Sequence, residues 1–379
     1  AYNKRFIYFI CIVSAMGGLL FGYDWVVIGG AKIFYEQFFG IAGNAFFVGL
    51  ATSIALAGCM LGALTAGSLA DHYGRKPLLI LSAFIFVISS IGTGAFNEFG
   101  YFLSARFLGG IAIGIASGLS PMYIAEVAPA DVRGKLVTLN QLTIVIGILA
   151  AQVVNWRIAG THTESWNVSM GWRWMFWATA IPAVVFLVLS FLIPESPRFE
   201  VMKKRYGRAE TTLSRIGGLE YAKAVTAAMM AARSAEEKEE NGGLELLLTK
   251  PFRGVLLLGV IIAFFQQWCG TNVIFNYAQE IFQGAGYDVD NTFINIVITG
   301  IANLVFTFVA LFTVEKLGRR TLMLMGAGGL AGIYLVLGAC YFFKASGIFM
   351  VILCVCAIAC YAMTLGPMTW VLISEIFPN

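Results

Sequence analysis

The chain has 379 residues, 59% of them hydrophobic and 12% charged, with a net charge of +4 at pH 7 and a mean hydropathy of +0.81. A soluble globular chain holds nearer to about 45–50% apolar and about 25% charged residues. The balance excludes a pair of ordinary soluble domains and predicts an all-α protein that crosses a membrane many times.

In chain order, ten apolar runs are long enough to cross a hydrocarbon core, which takes about 20 helical residues. They are 6–31, 45–69, 78–96, 101–124, 136–158, 172–193, 255–282, 293–313, 322–343 and 349–373. The first is too long for a signal-peptide core and has no small-residue cleavage pattern. These runs predict a six-helix bundle over 1–193, a cytoplasmic helical linker over 194–250 and a second bundle over 251–379. The linker is rich in Ala, Glu, Lys and Arg, all good helix formers. Arg75/Lys76, Arg133/Lys135 and Lys316/Arg319/Arg320 all follow even-numbered spans. Lys32, Arg157 and Lys344 fall to the odd-numbered loops, beside acidic residues. Basic residues collect on the cytoplasmic side. The N-terminus is therefore expected there, in a plasma membrane, or the inner membrane of a Gram-negative cell. The seven cysteines lie in apolar stretches, and His72 and His162 are far apart, so no metal site is expected. Glycines recur every fourth residue at Gly58/Gly62, Gly110/Gly114/Gly118 and Gly328/Gly332, a spacing that lets helices approach closely. The sequon Asn167-Val168-Ser169 falls in an outward loop; it matters only in a eukaryotic source, and chance explains it easily.

The chain repeats itself. Residues 69–76 (Leu-Ala-Asp-His-Tyr-Gly-Arg-Lys) match 313–320 (Thr-Val-Glu-Lys-Leu-Gly-Arg-Arg), with an acid, two variable residues, then Gly and two bases. Residues 122–129 match 371–378, each with Glu three residues before Pro. Both offsets are about 245–250 residues. Two matching halves are a known transporter architecture, with the site near the midplane between them. Two further spans follow Pro129, while the chain stops just after Pro378. About ten of an expected twelve transmembrane helices are therefore present.

Asp24 and Arg106 are ionisable residues at membrane depth. Such a charge costs roughly 2.5–3.5 kcal/mol on insertion scales and is usually functional. At 1.5 Å per residue, Asp24 lies about 27 Å along its helix from Phe6, and Arg106 about 8 Å from the outer end of its own. Both fall in the outer part of a core about 30 Å thick. An ion pair would hold Asp24 charged, and its separation would let Asp24 take a proton. The competing reading is a static structural pair. The repeated loops predict two cytoplasmic gates: Asp71, Arg75, Glu126 and Arg133 in one, Glu315, Arg319, Arg320 and Glu375 in the other. Each such pair contributes about 0–1 kcal/mol, but several together can latch one state of a two-state machine.

Residues 264–277 (Phe-Phe-Gln-Gln-Trp-Cys-Gly-Thr-Asn-Val-Ile-Phe-Asn-Tyr) interrupt an apolar run with uncharged amides. Amides in hydrocarbon are costly unless partnered. Gln266, Gln267 and Asn272, with Gln141 and Asn303 on other spans, form a polar lining. Their donors and acceptors match sugar hydroxyls, and aromatic faces at Phe21 and Trp370 suit the apolar faces of a sugar ring. Any single amide here serves equally well as inter-helix glue.

These residues resemble the sugar porter family of the major facilitator superfamily, and within it the bacterial proton-coupled symporters. The likeness runs through Gly-Gly-Leu-Leu-Phe-Gly-Tyr-Asp (17–24), Asp-His-Tyr-Gly-Arg-Lys (71–76), Arg-Phe-Leu-Gly-Gly (106–110), Pro-Met-Tyr-Ile-Ala-Glu (121–126) and Arg-Gly-Lys (133–135). It continues through Pro-Glu-Ser-Pro-Arg (194–198), Gln-Gln-x-x-Gly-x-Asn (266–272), Glu-Lys-Leu-Gly-Arg-Arg (315–320), Gly-Pro-x-x-Trp (366–370) and Ser-Glu-Ile-Phe-Pro (374–378). The resemblance implies the major facilitator fold of two pseudo-symmetric helical bundles. It implies sugar contacts at Gln141, Gln266, Gln267, Asn272, Asn303 and Trp370, with Phe21 beside them. It implies proton coupling at Asp24 with Arg106 as partner, and it adds Glu195 and Arg198 to the cytoplasmic gate. Facilitators of the family usually have Asn at the Asp24 position. Three departures leave the sugar open: Asn276 where many members have tyrosine, Ile148 where a related symporter has a further glutamine contact, and Trp25 where a small residue is common.

The expected function is proton-coupled import of a monosaccharide, pentose or hexose, by alternating access. Its rivals are a facilitative uniporter and a membrane sugar sensor that does not transport. An enzyme is not expected, because no nucleophile–base or metal constellation is present. The expected partners are the sugar and the lipid bilayer, with protons as coupling ion, no other cofactor and no nucleic acid. The protein is expected to be a monomer.

Overall fold

Long apolar segments can satisfy their own backbone hydrogen bonds in hydrocarbon only as helices, and helices are what the sequence forms. The computed structural model of the chain describes residues 2–238, 250–343 and 347–376, except the side chains of 233–238, 250–252, 289, 290, 311, 314–316, 319, 370, 371 and 373–376. Among the described residues, ten stretches are long and apolar enough to cross a membrane. The chain divides into two units, Ala1–Glu239 and Glu240–Asn379.

The first unit holds α1 (Lys4–Phe38), α2 (Ala45–Tyr73), α3 (Arg75–Ala95), α4 (Phe99–Val127), α5 (Arg133–Thr161) and α6 (Glu164–Leu192, with a π-helical turn at Asn167–Gly171). Three shorter helices follow: α7 (Pro197–Met202), α8 (Tyr206–Gly217) and α9 (Leu219–Lys238). Asn3 and Asn44 start α1 and α2 by accepting backbone N–H groups of the first turn, as N-cap residues do. The helix α1 runs past the expected end of its span, so Lys32 lies within it and is buried rather than standing in a loop. The sequon asparagine, Asn167, is also buried, and its amide donates to the carbonyl of Ala159. It is not presented as a glycan acceptor.

In this unit α1 packs on α5, α2 on α4, and α3 on both α4 and α6. One apolar core joins Ile10 and Leu20 of α1, Leu79 and Phe86 of α3, Leu119 and Tyr123 of α4, and Phe186 of α6. It reaches Leu213 and Ile216, so α8 is seated on the bundle. The carbonyl of Ile216 also accepts from the backbone N–H of Asn3. A further buried cation, Arg173, is spent on structure. It donates to the carbonyls of Gly94 and Phe96 at the end of α3, and to the amide oxygen of Asn97.

The glycine spacing acts unevenly. A Cβ at Gly58, Gly62, Gly110 or Gly114 would run into backbone of the facing helix, so α2 and α4 meet through these four positions. Among the described residues, Gly328 and Gly332 face open space, and the same spacing marks no contact there.

The second unit holds α10 (Lys250–Gln267), α11 (Thr271–Asn276), α12 (Ala278–Gly284), α13 (Val289–Leu317), α14 (Arg319–Phe342), α15 (Ile348–Met363) and α16 (Leu365–Ile376). Its core joins Phe282, Ile296, Leu337, Met350 and Cys354. Two spans expected as single runs are broken. The seventh breaks at Gly270, whose φ of +88° is left-handed backbone, a conformation glycine adopts without strain. The tenth breaks at Thr364 (φ −124°, ψ −88°). Pro367 then sits in the first turn of α16, where its missing N–H removes no helix bond.

Gly110→Val should lower the thermal unfolding temperature in detergent, since overpacking costs about 1–3 kcal/mol. Gly328→Ala, in open space within a helix, should leave it unchanged or raise it slightly.

Candidate functional site

The sequence-predicted residues fall into three groups: a membrane-depth ion pair, a charge network at one end of the first unit, and amides in both units. The ion pair forms as expected. Asp24 of α1 is 6% exposed and Arg106 of α4 is 3% exposed. Arg106 Nη1 donates to Asp24 Oδ1 at 2.5 Å. The guanidinium also lies over the ring of Phe176, 5.3 Å from its centroid. Small residues bring the two helices together: Ser14 donates to the carbonyl of Ser120, and Gly17 leaves room for the Ser120 side chain. A buried pair of this kind contributes little by itself, but losing one partner strands a charge.

The second group is a network around Arg75, itself buried. Arg75 Nε and Nη2 donate as a fork to the carboxylate of Glu126, at 3.0 and 2.9 Å. Arg75 Nη1 donates to the carbonyl of Ala70 and pairs with Asp71 at 3.1 Å. Ser196 Oγ donates to Glu126 Oε2. The Glu195 carboxylate accepts the backbone N–H groups of Arg75, Lys76 and Ser196, and so closes the N-terminus of α3, where helix donors are otherwise unsatisfied. Gly74 permits this. Its φ is +104°, and a Cβ there would collide with the Glu195 carboxylate. Tyr123 OH donates to the carbonyl of Pro194 at 2.8 Å. The tail of α4, the head of α3 and the segment after α6 are thus tied at one point. Arg133 and Arg198 stand outside it. Both are exposed, and neither forms an ion pair among the described residues. In the second unit, Arg320 is exposed at the head of α14. The side chains of Glu315, Arg319 and Glu375 lie outside the described residues. Gly318, like Gly74, has a positive φ of +78°.

Burial pushes the Glu195 carboxyl above the usual glutamate range, against the pull of the N–H groups of Ser196, Lys76 and Arg75.

The third group is the amides. In the first unit, Phe21 is half-buried and stacks on Trp25 with centroids 5.8 Å apart. Gln141 is half-buried on α5. In the second unit, Gln266 is 5% exposed, and its Nε2 donates to Tyr361 OH at 2.6 Å. Its Oε1 has no partner among the described residues. Asn272 Nδ2 donates to Gln267 Oε1 at 2.8 Å, and Gln267 is otherwise exposed. The two residues stand on either side of the break at Gly270. Asn303 is buried on α13, in line with Thr292, Asn295, Thr299 and Thr307. The Trp370 side chain lies outside the described residues. Tyr361 and the α13 threonines were missed in the sequence. A 3–4-residue polar spacing was the signal for the threonines; nothing local marked the tyrosine.

The sequence pattern described as "Sugar (and other) transporter" matches residues 10–379. The chain belongs to the sugar porter family of the major facilitator superfamily. It is 37% identical over 403 residues to the D-xylose-proton symporter of Escherichia coli (strain K12), covering 100% of this chain and 81% of that one. It is 34% identical over 380 residues to the arabinose-proton symporter of Bacillus subtilis (strain 168), covering 100% of this chain and 81% of that one. A solved structure of the proton:xylose symporter XylE bound to 6-bromo-6-deoxy-D-glucose matches with a TM-score of 0.87 and 37% identity, over 100% of this chain and 84% of that one. The family member is thus a multi-pass membrane protein with the major facilitator fold, among transporters rather than enzymes.

Arg106→Ala should destabilise the first unit by about 3–5 kcal/mol, the scale for a stranded buried charge, read as a lowered thermal unfolding temperature. Adding Asp24→Asn should restore most of the loss. For Glu195, a raised folded pKa means that the folded chain holds the proton more tightly than the unfolded one. The stability this provides is full below the unfolded value, about 4.3, and is lost as pH rises through the folded one. Glu195→Gln should therefore flatten the pH dependence of unfolding between the usual glutamate range and neutrality.

Proposed function

We propose that the protein is a proton-coupled monosaccharide symporter working by alternating access, with its N-terminus cytoplasmic. The observation that carries the proposal is the buried Asp24–Arg106 pair. An aspartate this deep costs free energy, and a purely structural pair could be replaced by apolar residues at little or no loss. A role in coupling accounts for its presence. Arg106 Nη1 donates to Asp24 Oδ1 and so offers its charge a partner. When the arginine moves away, the carboxylate is left among apolar side chains and takes a proton. Sugar binding at the amides and proton binding at Asp24 then favour the same conformational change. The Arg75–Glu126–Glu195 network holds three segments of the first unit at one end, and suits a latch that opens in one of two states. The names of the relatives, a xylose–proton and an arabinose–proton symporter, support both the sugar class and the coupling ion.

In proteoliposomes, an inward proton gradient should drive accumulation of a transported pentose or hexose above equilibrium. Asp24→Asn should abolish accumulation while sugar exchange across the membrane persists. Accumulation by Asp24→Asn equal to that of the unaltered protein would contradict the coupling role, and gradient-independent equilibration by the unaltered protein would indicate facilitated diffusion.

A further inference from the structure

Gln152 lies on α5 and is 1% exposed, and neither its Oε1 nor its Nε2 has a partner among the described residues. A buried amide with both ends open is unusual, because buried polar groups are nearly always hydrogen-bonded. Asn155, three residues on and equally buried, shows what an amide that ties helices together does on this same helix. Its Nδ2 donates to the carbonyl of Val27 on α1. Thr143 and Gly147 also meet α1, at Ala15 and at Leu19. At 3.6 residues per turn, Thr143 lies roughly opposite Gln152 on α5. Gln152 shares its side instead with Gln141, about three turns back, and with Ile148, one turn back.

The stripe therefore reads amide, apolar, amide, over about 16 Å of helix. A monosaccharide carries hydroxyls around its rim and C–H groups across its faces. Ligand sites commonly combine an apolar wall with a few placed polar groups that fix orientation. Ile148 offers the wall, and the two glutamines offer hydroxyl partners on either side of it.

We propose that Gln152 is a further sugar-contact residue, which hydrogen-bonds a substrate hydroxyl at the end of the α5 stripe remote from Gln141 and so sets which sugars are accepted. This assignment rests on the sugar-transport reading. It gives the amide a partner that arrives with the ligand, and the residue is covered when that partner is absent.

The test is a cycle between residue and hydroxyl. Transport by the whole protein in proteoliposomes is competed with D-glucose, D-xylose, L-arabinose and the monodeoxy analogues of each. In the unaltered protein, removing the hydroxyl that Gln152 reads should weaken apparent affinity about tenfold, the scale of one hydrogen bond. In Gln152→Leu that ratio should fall close to one, while the ratios for the other hydroxyls are kept. Gln152→Asn, shorter by one methylene, provides the same cycle should the leucine variant fail to fold. A uniform weakening of every sugar, or no change in any ratio, would overturn the assignment while leaving sugar transport intact. Failure of the unaltered protein to carry any sugar would overturn the transport reading and this assignment with it.

Discussion

Hydrocarbon supplies no hydrogen bonds, so a polar group inside the spans is costly until it finds a partner. The protein meets this constraint in different ways at different places. Arg173 is absorbed by backbone carbonyls at the end of α3, and Arg75 by a carboxylate fork, a carbonyl and an acid one turn back. Arg106 depends on a single aspartate, with an aromatic ring beside it. The first arrangement is redundant and suits permanent structure, and the second joins several contacts of the kind that suits a latch. The third rests on one contact, and one contact can be broken and remade.

The helices around the pair are closely packed. Glycines let α2 and α4 pack against each other's backbone, and Ser14 and Gly17 bring α1 against α4. Such close packing resists gradual deformation, so movement is expressed as a shift between discrete arrangements. At the end of the unit that carries Arg75, the loop from Pro194 to Ser196 joins three segments through Glu195 and Glu126. Motion of α4, which carries both Arg106 and Glu126, would therefore reach the ion pair and this network together.

Much of this was legible in the sequence, because its signals are local and repeated. The ten apolar runs, the duplicated Gly-Arg loops and the placing of Asp24 and Arg106 follow from spacing and hydropathy. The helix breaks were not legible: both spans read as single apolar runs, and nothing local showed that Gly270 would take a positive φ or that the tenth span would break at Thr364. Arg133 matched the expected charge cluster in type and position but remains exposed, since sequence proximity to a network does not fix side-chain direction. Gln152, Ser196 and Tyr361 were not singled out because their meaning lies in what stands opposite them. An amide in a run such as Ala-Ala-Gln-Val-Val reads as an ordinary helix-packing residue until its lack of a protein partner is seen.

The central claim is that a buried carboxylate exchanges its arginine for a proton whenever sugar crosses. Sugar-dependent pH change in a lightly buffered suspension of energy-depleted cells expressing the protein measures this directly. A pulse of transported sugar should make the external medium transiently alkaline, in proportion to the sugar taken up and abolished by a protonophore. Sugar entry at an undiminished rate with no movement of external pH would contradict the account.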